Sequence, residues 1–326
     1  MRNPGTFGLE EMKVRLVTPT LSNINSGNQV TATRYARILR GLGHQVSITE
    51  RYAGESCDLL IALHARKSSD SIRRFREQNP GSPLVVVLTG TDLYGDLKKN
   101  GNAQASLNFA SRLVVLQRRG LDEIPLRYRA KTAVIYQSAD CAGGRNQSPS
   151  GYFKVCVVGH LRAEKDPLRA AMAVRGLAAT SRIKVIQIGA ALDRRIEEQA
   201  VRESEVNPRY RWLGAQPRWK TARHIASSHV VAITSRIEGS SNVLSESLAC
   251  RVPVVASRIP GLIGTLGRDY PGYFTPGDTR GLGDALRRAE SDREFYDDLR
   301  FRCRRLAELI RPEREVKAWR RLLAEV

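Results

Sequence analysis

The sequence predicts an α/β protein built from two doubly wound domains, each with a parallel sheet. The first sixty residues alternate strand, helix and strand, which is the β-α-β order of such a sheet. The same alternation starts again near Lys154, after a polar segment. The chain of 326 residues is too long for one small core and suits two domains of about 150 residues each. We therefore expect one domain over 12–140 and a second over 152–310.

Short apolar runs predict the strands of the first half, and Leu84–Leu88 (LVVVL) is apolar throughout, as a central strand should be. The predicted strands are Lys13–Thr18, Gln45–Thr49, Leu59–Leu63, Leu84–Leu88, Arg112–Leu116 and Thr132–Tyr136. A loop over Pro19–Asn28 precedes a helix over Thr31–Leu42, whose apolar residues recur with helical spacing and which Gly43 ends. Further helices are expected at Ser71–Glu77 and Ala103–Phe109.

The second half repeats the pattern after Ala139–Gly151, a segment rich in Gly and Ser that we interpret as the interdomain linker. The predicted strands are Lys154–Val158, Ile183–Ile188, Tyr210–Gly214, Val230–Thr234 and Val252–Ala256. The predicted helices are Leu192–Glu203, one beginning near Val243, and three at the end, Thr279–Glu290, Arg293–Leu309 and Glu313–Ala324.

The composition limits the classes of function. The net charge of +20 suits anionic ligands, but the cations are spread along the chain and no aromatic and basic motif accompanies them, so we expect no nucleic-acid partner. No apolar run approaches the ~20 residues of a membrane span, and the N-terminus lacks a secretion signal, so a cytoplasmic location is expected. Five scattered cysteines without a C-x-x-C pair argue against a disulfide framework or structural zinc.

The stretch RIEGSSNVLSESLACRVPVVAS, residues 236–257, combines two glutamates with small polar residues between them. Ser241 or Asn242 can cap the helix that begins near Val243, and free amides at a helix start attract phosphate or polarised hydroxyl groups. Glu238 and Glu246 can accept hydrogen bonds from sugar hydroxyls on either side. The alternative is an ordinary loop and helix whose acids face solvent.

This stretch resembles the E-x7-E signature of GT-B nucleotide-sugar glycosyltransferases of the glycosyltransferase-4 type. The resemblance implies two Rossmann-like domains facing across a cleft, with a C-terminal helix, 311–326, crossing back to the first domain. It implies that Glu238 binds the donor sugar as a catalytic residue and that Glu246 binds the nucleotide ribose. It also assigns the residues between them to donor binding: Gly239, Ser240, Ser241, Asn242 and Val243.

GHLRAEKDP, residues 159–167, resembles the segment in which this family holds the donor diphosphate with an arginine and a lysine. Lys165 matches the lysine, His160 occupies the arginine position, and Arg162 lies two residues later. A leaving diphosphate gains negative charge, so Lys165 and Arg162 are predicted catalytic cations and His160 a donor-binding residue. The alternative is a loop with ordinary surface cations. RYRWLG resembles the family's Phe-Leu-Gly segment, which implies that Gly214 lies near the base.

Three loops at the ends of first-half strands are candidates for ligand binding, because ligands of doubly wound sheets bind beyond the carboxyl ends of the strands. The loop SNINSGNQ supplies Asn25, Asn28 and Gln29 for the acceptor and Gly27 for the donor. His64, Arg66 and Lys67 follow the third strand and could grip an anionic acceptor, although a lone histidine is more often structural. TGTD, whose residues are Thr89, Gly90, Thr91 and Asp92, resembles the family's His-Gly-Ser-Asp segment. Thr89 replaces its histidine, so His64 is the natural substitute.

Longer segments resemble a narrower group, the selenosugar synthases of selenoneine biosynthesis (the SenB type). These segments are LVTPTLSNINSGNQ, ALHARKS, PLVVVLTGTDLY, VVGHLRAEK, RYRWLGA and SRIEGSSNVLSE. The resemblance implies transfer of a hexose, glucose or N-acetylglucosamine, from a UDP-sugar to the selenium of selenophosphate. No D-x-D sequence occurs, so we expect no metal and no cofactor. A glycosyltransferase for an ordinary hydroxyl acceptor and a non-enzymatic nucleic-acid binder remain as alternatives.

Overall fold

The computed structural model describes residues 10–19, 27–142 and 148–326, which fall into two compact units. The first unit runs to Tyr136 and is joined again by Glu313–Val326. The second unit is Gln137–Pro312. The chain thus enters the second unit a few residues before 140, where the sequence placed the end of the first domain.

The first unit contains a six-stranded parallel sheet with the order β2-β1-β3-β4-β5-β6. Its strands are β1 (Lys13–Val17), β2 (Gln45–Thr49), β3 (Leu59–Leu63), β4 (Leu84–Leu88), β5 (Arg112–Val115) and β6 (Thr132–Val134). Every residue of β3 and β4 is buried, as expected for central strands covered on both faces. The chain order reverses between β1 and β3, and such a switch point opens a crevice at the carboxyl ends of these strands.

The helices of the first unit are α1 (Gly27–Gly41), α2 (Ser69–Gln78), α3 (Gly101–Phe109), α4 (Leu126–Arg129) and the C-terminal α12 (Pro312–Leu323). The prediction that a loop continues to Asn28 is wrong, because α1 already begins at Gly27. In the core, the buried Trp319 ring of α12 lies 4.6 Å from the Tyr35 ring of α1, measured between centroids. The neighbouring Arg34 and Glu315 form a buried ion pair at 3.1 Å, so α12 is fixed to this unit by both apolar and ionic contacts.

The second unit contains another six-stranded parallel sheet, with the order β12-β11-β10-β7-β8-β9. Its strands are β7 (Phe153–Val158), β8 (Ile183–Ile188), β9 (Tyr210–Trp212), β10 (Val230–Ile233), β11 (Val254–Ser257) and β12 (Tyr273–Phe274). The chain builds outward from β7 to β9 and then returns to build from β10 to β12 on the other side. The switch point therefore lies between β7 and β10, and a ligand crevice is expected there.

Helices flank this sheet in the right order for a Rossmann-like domain. They are α5 (Arg169–Arg175), α6 (Arg194–Val206), α7 (Arg218–Ala226), α8 (Asn242–Ala249), α9 (Pro260–Leu266), α10 (Thr279–Ser291) and α11 (Arg293–Leu306). The sequence reasoning did not predict α5, α7, α9 or the short strand β12. With strand and helix alternating through two parallel sheets, the predicted α/β class with two Rossmann-like domains is confirmed.

The described part of the predicted linker is held tightly to the second unit. Cys141 forms a disulfide with Cys250, which follows α8, and the Ala139 N–H donates to the Ile310 carbonyl oxygen at 3.2 Å. The argument against disulfides from cysteine spacing is therefore wrong for this pair. Disulfides persist mainly in oxidising compartments, so the bond counts against the cytoplasmic location, which stays a prediction.

Candidate active site

The loops after β7 and β10 meet at the switch point of the second sheet. The loop after β7 contains a short 3-10 turn, Ala163–Lys165, which ends at Asp166 with a left-handed φ of 44°. The Thr234 hydroxyl, just beyond β10, donates to the Lys165 carbonyl oxygen at 2.9 Å, and the Arg236 N–H donates to the Glu164 carbonyl oxygen at 2.8 Å. These bonds fix the backbone of Lys165 against the loop that carries Glu238.

Lys165 and Glu238 form an ion pair in this crevice. The Lys165 ammonium donates to Glu238 Oε1, and the Ser235 hydroxyl donates to the same oxygen at 2.7 Å. The Lys165 side chain is 18% exposed and the Glu238 side chain 10% exposed, so water screens the pair only weakly. The site thus presents a cation and a carboxylate in fixed positions, which are the groups needed for a diphosphate and for sugar hydroxyls.

The backbone of Glu238 is packed against the first turn of α9. A Cβ atom placed on Gly261 would lie 1.8 Å from the Glu238 carbonyl oxygen, so only glycine fits there. The sequence reasoning missed Gly261 and Ser235, and its only signal for Gly261 was a Pro-Gly pair that also suits a plain helix start.

The helix α8 begins directly after the Glu238 loop. Ser241 caps it by accepting the Leu244 N–H at 3.3 Å, which selects the first of the two predicted caps. Asn242 and Val243 form the first turn, where helix amides and the helix dipole favour anions, and Glu246 lies partly exposed on the next turn. The structure therefore brings the predicted donor residues, Gly239–Val243 and Glu246, to the same end of the sheet as Lys165, and their roles in binding stay predictions.

Loops after β7, β8 and β9 are joined by their backbones. The Gly189 N–H donates to the Gly214 carbonyl oxygen at 2.9 Å, and the Leu161 N–H donates to the Ala190 carbonyl oxygen at 2.9 Å. His160 Nδ1 accepts the Ala190 N–H at 3.1 Å. Because Nδ1 accepts this hydrogen bond, the ring N–H is on Nε2, and the role of His160 in donor binding stays a prediction.

Arg162 occupies a different environment from Lys165. Its side chain is 43% exposed, and its guanidinium lies 4.0 Å from the Glu164 carboxylate, measured from Nε to Oε2. Arg162 is thus paired with a neighbouring carboxylate, and its catalytic role stays a prediction.

In the first unit, Asp92 ties the loop after β3 to the loop after β4. Its carboxylate has no exposed surface and accepts the N–H groups of Ala65 and Thr89, both at 2.9 Å, and the Thr89 hydroxyl at 2.8 Å. His64 is also buried, has a left-handed φ of 71°, and lies 3.0 Å from the Thr91 hydroxyl through Nε2. Burial lowers the pKa of His64, so the neutral imidazole is favoured. Asp92 and His64 therefore position these loops, and contact of either with an acceptor stays a prediction.

The remaining acceptor candidates are placed around the same sheet edge. Arg66 donates to Asp96 at 2.7 Å, whereas Lys67 is exposed. Gly90 is partly exposed between Thr89 and Thr91. Gly27, Asn28 and Gln29 lie in the first turn of α1, and Asn25 lies outside the described residues. Their roles in binding stay predictions.

Within the described ranges, no group of three or more His, Cys, Asp or Glu side chains is arranged to hold a metal ion. In the same ranges, no helix has both the length and the hydropathy that a membrane span requires.

Comparison with known proteins identifies the family. The family model "Glycosyl transferases group 1" matches residues 142–305, just over half of the chain. This region includes the second sheet through most of α11, and with it Lys165, Glu238 and α8. A comparison with curated protein sequences gives no match.

Solved structures share the fold over almost the whole chain. HepE from Anabaena, in complex with UDP and glucose, has a TM-score of 0.77 and 17% identity, covering 97% of this chain and 100% of its own. Sucrose-phosphate synthase from Thermosynechococcus elongatus has a TM-score of 0.77 and 16% identity, with the same coverage. A glycosyltransferase from Rickettsia africae has a TM-score of 0.74 and 13% identity, covering 97% and 99%. These similarities establish a GT-B fold, and together with the family match they show that this chain is a member of the group 1 glycosyl transferases.

Proposed function

We propose that this glycosyltransferase moves a hexose from a UDP-sugar to the selenium of selenophosphate and releases UDP. The observation that carries the donor half is the Lys165–Glu238 pair at the switch point, next to the amino end of α8. Selenophosphate as acceptor is supported by the resemblance of several separate segments to the selenosugar synthases. It is also an anion, and a chain with a net charge of +20 attracts anionic ligands.

A UDP-sugar suits the donor residues. We propose that the Lys165 ammonium binds the diphosphate, that Glu238 binds sugar hydroxyls, and that Glu246, about one turn into α8, binds the ribose. HepE, which has the same fold, binds UDP and UDP-glucose in its complexes. In our proposal the donor hydroxyls and diphosphate replace part of the Lys165–Glu238 contact, so that binding exchanges one set of charge-assisted hydrogen bonds for another.

The proposed step breaks the C1–O bond between the sugar and the β-phosphate, and the electron pair leaves with UDP. A selenium lone pair of selenophosphate forms the new Se–C1 bond. Lys165 would stabilise the negative charge that develops on the diphosphate, which is the largest electrostatic demand of the reaction. Selenium is already anionic and polarisable, so the acceptor needs orientation more than deprotonation.

For the acceptor we propose the edge of the first sheet around Lys67 and the Thr89–Thr91 loop. Lys67 is exposed, and Asp92 and His64 hold the two loops in fixed positions. Fixed loops that carry an exposed cation are suited to a small anion because little ordering is required on binding.

We also propose that transfer needs no divalent metal, since Lys165 supplies the positive charge beside the diphosphate. Turnover measured in excess EDTA tests this independently of the acceptor. Full loss of activity in EDTA, restored by Mg²⁺ or Mn²⁺, would contradict this part of the proposal.

The decisive experiment incubates purified protein with UDP-glucose or UDP-N-acetylglucosamine and selenophosphate, followed by mass spectrometry. A seleno-glycoside and stoichiometric UDP are expected. If the enzyme instead glycosylates an alcohol and ignores selenophosphate, it is a hydroxyl glycosyltransferase and the acceptor proposal fails.

Glu238→Ala tests the proposed sugar contact. This variant should abolish transfer while UDP binding stays measurable, because in our proposal Glu238 contacts the sugar and not the nucleotide. Unchanged turnover in this variant would remove Glu238 from the site.

A further inference from the structure

Gln187 is a buried amide at a position where the sheet should be apolar. It is the second last residue of β8 and follows Ile183 and Val185 on the core-facing side of the strand. Its side chain has no exposed surface. Burying an amide without hydrogen bonds costs roughly 1–3 kcal/mol in proteins, so an apolar residue would be the more stable choice for packing alone.

The orientation of the Gln187 amide is set by its neighbour. Nε2 donates to the Gly159 carbonyl oxygen at 3.0 Å, and a carbonyl can only accept, so the amide nitrogen must face Gly159. Oε1 consequently points the other way, and this buried oxygen has no hydrogen-bond partner among the residues that the structure describes.

A small cavity lined by Gln187 lies at the switch point. Gln187 lines it together with Gly159, Lys165, Thr234 and Ser235. Its size is about that of one water molecule, and its lining offers several polar residues. Ser235 and Lys165 also hydrogen-bond Glu238, so the cavity is lined by both of these partners of the Glu238 carboxylate.

Gly159 connects Gln187 to the lysine side chain. The Gly159 N–H donates to the Ile188 carbonyl oxygen at 2.8 Å, and a Cβ atom on Gly189 would lie 2.1 Å from the Gly159 carbonyl oxygen. A Cβ atom on Gly159 would lie 3.6 Å from the Lys165 methylene carbons. The Lys165 stem thus runs along Gly159, and a displacement of Gly159 would displace the ammonium.

We propose that Gln187 is a positioning residue for the donor diphosphate, acting through the Gly159 carbonyl and through one water bound to Gln187 Oε1 in the cavity. This inference rests on the proposed UDP-sugar site. Gln187 does not contact the donor. It fixes the position of Gly159 and thereby of the Lys165 side chain, which in our proposal binds the leaving diphosphate.

The test compares Gln187→Met with Tyr210→Phe. Methionine keeps the length of the side chain and removes both polar atoms. Tyr210, on the neighbouring β9, has a buried hydroxyl with no hydrogen-bond partner within the described ranges, so Tyr210→Phe also deletes one buried polar atom from this core, but Tyr210 does not line the cavity. UDP affinity by calorimetry, KM for the UDP-sugar, kcat and thermal stability are measured for both.

We expect Gln187→Met to weaken UDP binding about tenfold and to lower kcat as well, because the diphosphate contacts matter both to binding and to the leaving group. Tyr210→Phe should leave UDP affinity within twofold of wild type. A high-resolution crystal structure of the wild type should show a water within hydrogen-bonding distance of Gln187 Oε1.

A folded Gln187→Met protein with wild-type UDP affinity would overturn the inference, and so would an empty cavity in the wild-type crystal structure. The wild-type crystal structure tests the bound water even if Gln187→Met does not fold. Failure of the wild type to bind UDP would instead reject the proposed function, so the two failures are distinguishable.

Discussion

Replacing Lys165 by methionine tests the ion pair on which the donor site depends. The change leaves the Glu238 carboxylate, 10% exposed, without its cation, although the Ser235 hydroxyl still donates to it. Removing one partner of a fully buried pair costs about 3–5 kcal/mol and exposed pairs contribute below about 1 kcal/mol. With partial burial and one remaining donor, we expect the free energy of unfolding to fall by about 2 kcal/mol. Turnover should fall about a hundredfold, which is the usual effect of removing one charge stabiliser.

A double-mutant cycle with Glu238→Gln separates the pair from its surroundings. In the Glu238→Gln background the loss of Lys165 leaves no buried charge behind, so Lys165→Met should then cost only about 1 kcal/mol. Chemical denaturation gives the stabilities, and steady-state kinetics with a UDP-sugar gives turnover. Lys184→Met, at an exposed position on β8, is the control and should stay within about 0.5 kcal/mol of wild type. Strictly additive effects of the two changes would refute the coupling.

Further predictions concern the ribose contact, the packing of α9 and stability in acid. Glu246→Ala should weaken UDP binding about tenfold, measured by calorimetry, and an unaltered affinity would count against the ribose role. Gly261→Ala should destabilise the protein by about 1–3 kcal/mol because its Cβ would meet the Glu238 carbonyl oxygen at 1.8 Å, whereas Gly176→Ala, with open space around it, should have little effect on the melting temperature. Burial lowers the pKa of four histidines in the folded state, so stability is complete above their ordinary pKa of 6.5 and falls below it as the unfolded chain takes up protons. These are His44, His64, His224 and His229. A melting temperature that stays constant from about pH 7 to pH 5 would contradict this reasoning.

Strands were easier to predict from sequence than helix starts. Leu59–Leu63 and Leu84–Leu88 are apolar throughout because helices cover both faces of a parallel sheet, and their predicted bounds agree with the structure. The start of α1 was predicted too late because its first residues, Gly27, Asn28 and Gln29, carry no apolar periodicity. The helix α5, with the sequence RAAMAVR, was missed because its buried face consists mainly of alanine.

Predicting the candidate site required the topology of the sheet. Lys165 and Glu238 are 73 residues apart, and they meet because β7 and β10 are neighbours at the switch point. Resemblance to a family pointed to both residues. Ser235 begins the resembling segment SRIEGSSNVLSE but was given no role, and Gln187 lies in none of the resembling segments; both became visible through their hydrogen bonds. The Cys141–Cys250 bond joins residues 109 positions apart, and no spacing rule on scattered cysteines could have paired them.

The disulfide also closes most of the second unit into a covalent ring. Every residue from Cys141 to Cys250, including Lys165 and Glu238, lies on this closed circuit of chain. Closing a loop of about one hundred residues restricts the unfolded chain by an amount equivalent to about 4–5 kcal/mol in the entropic account. A single proteolytic nick in the exposed turn at Ala178 and Ala179 would therefore release no fragment until a thiol reductant opens the ring.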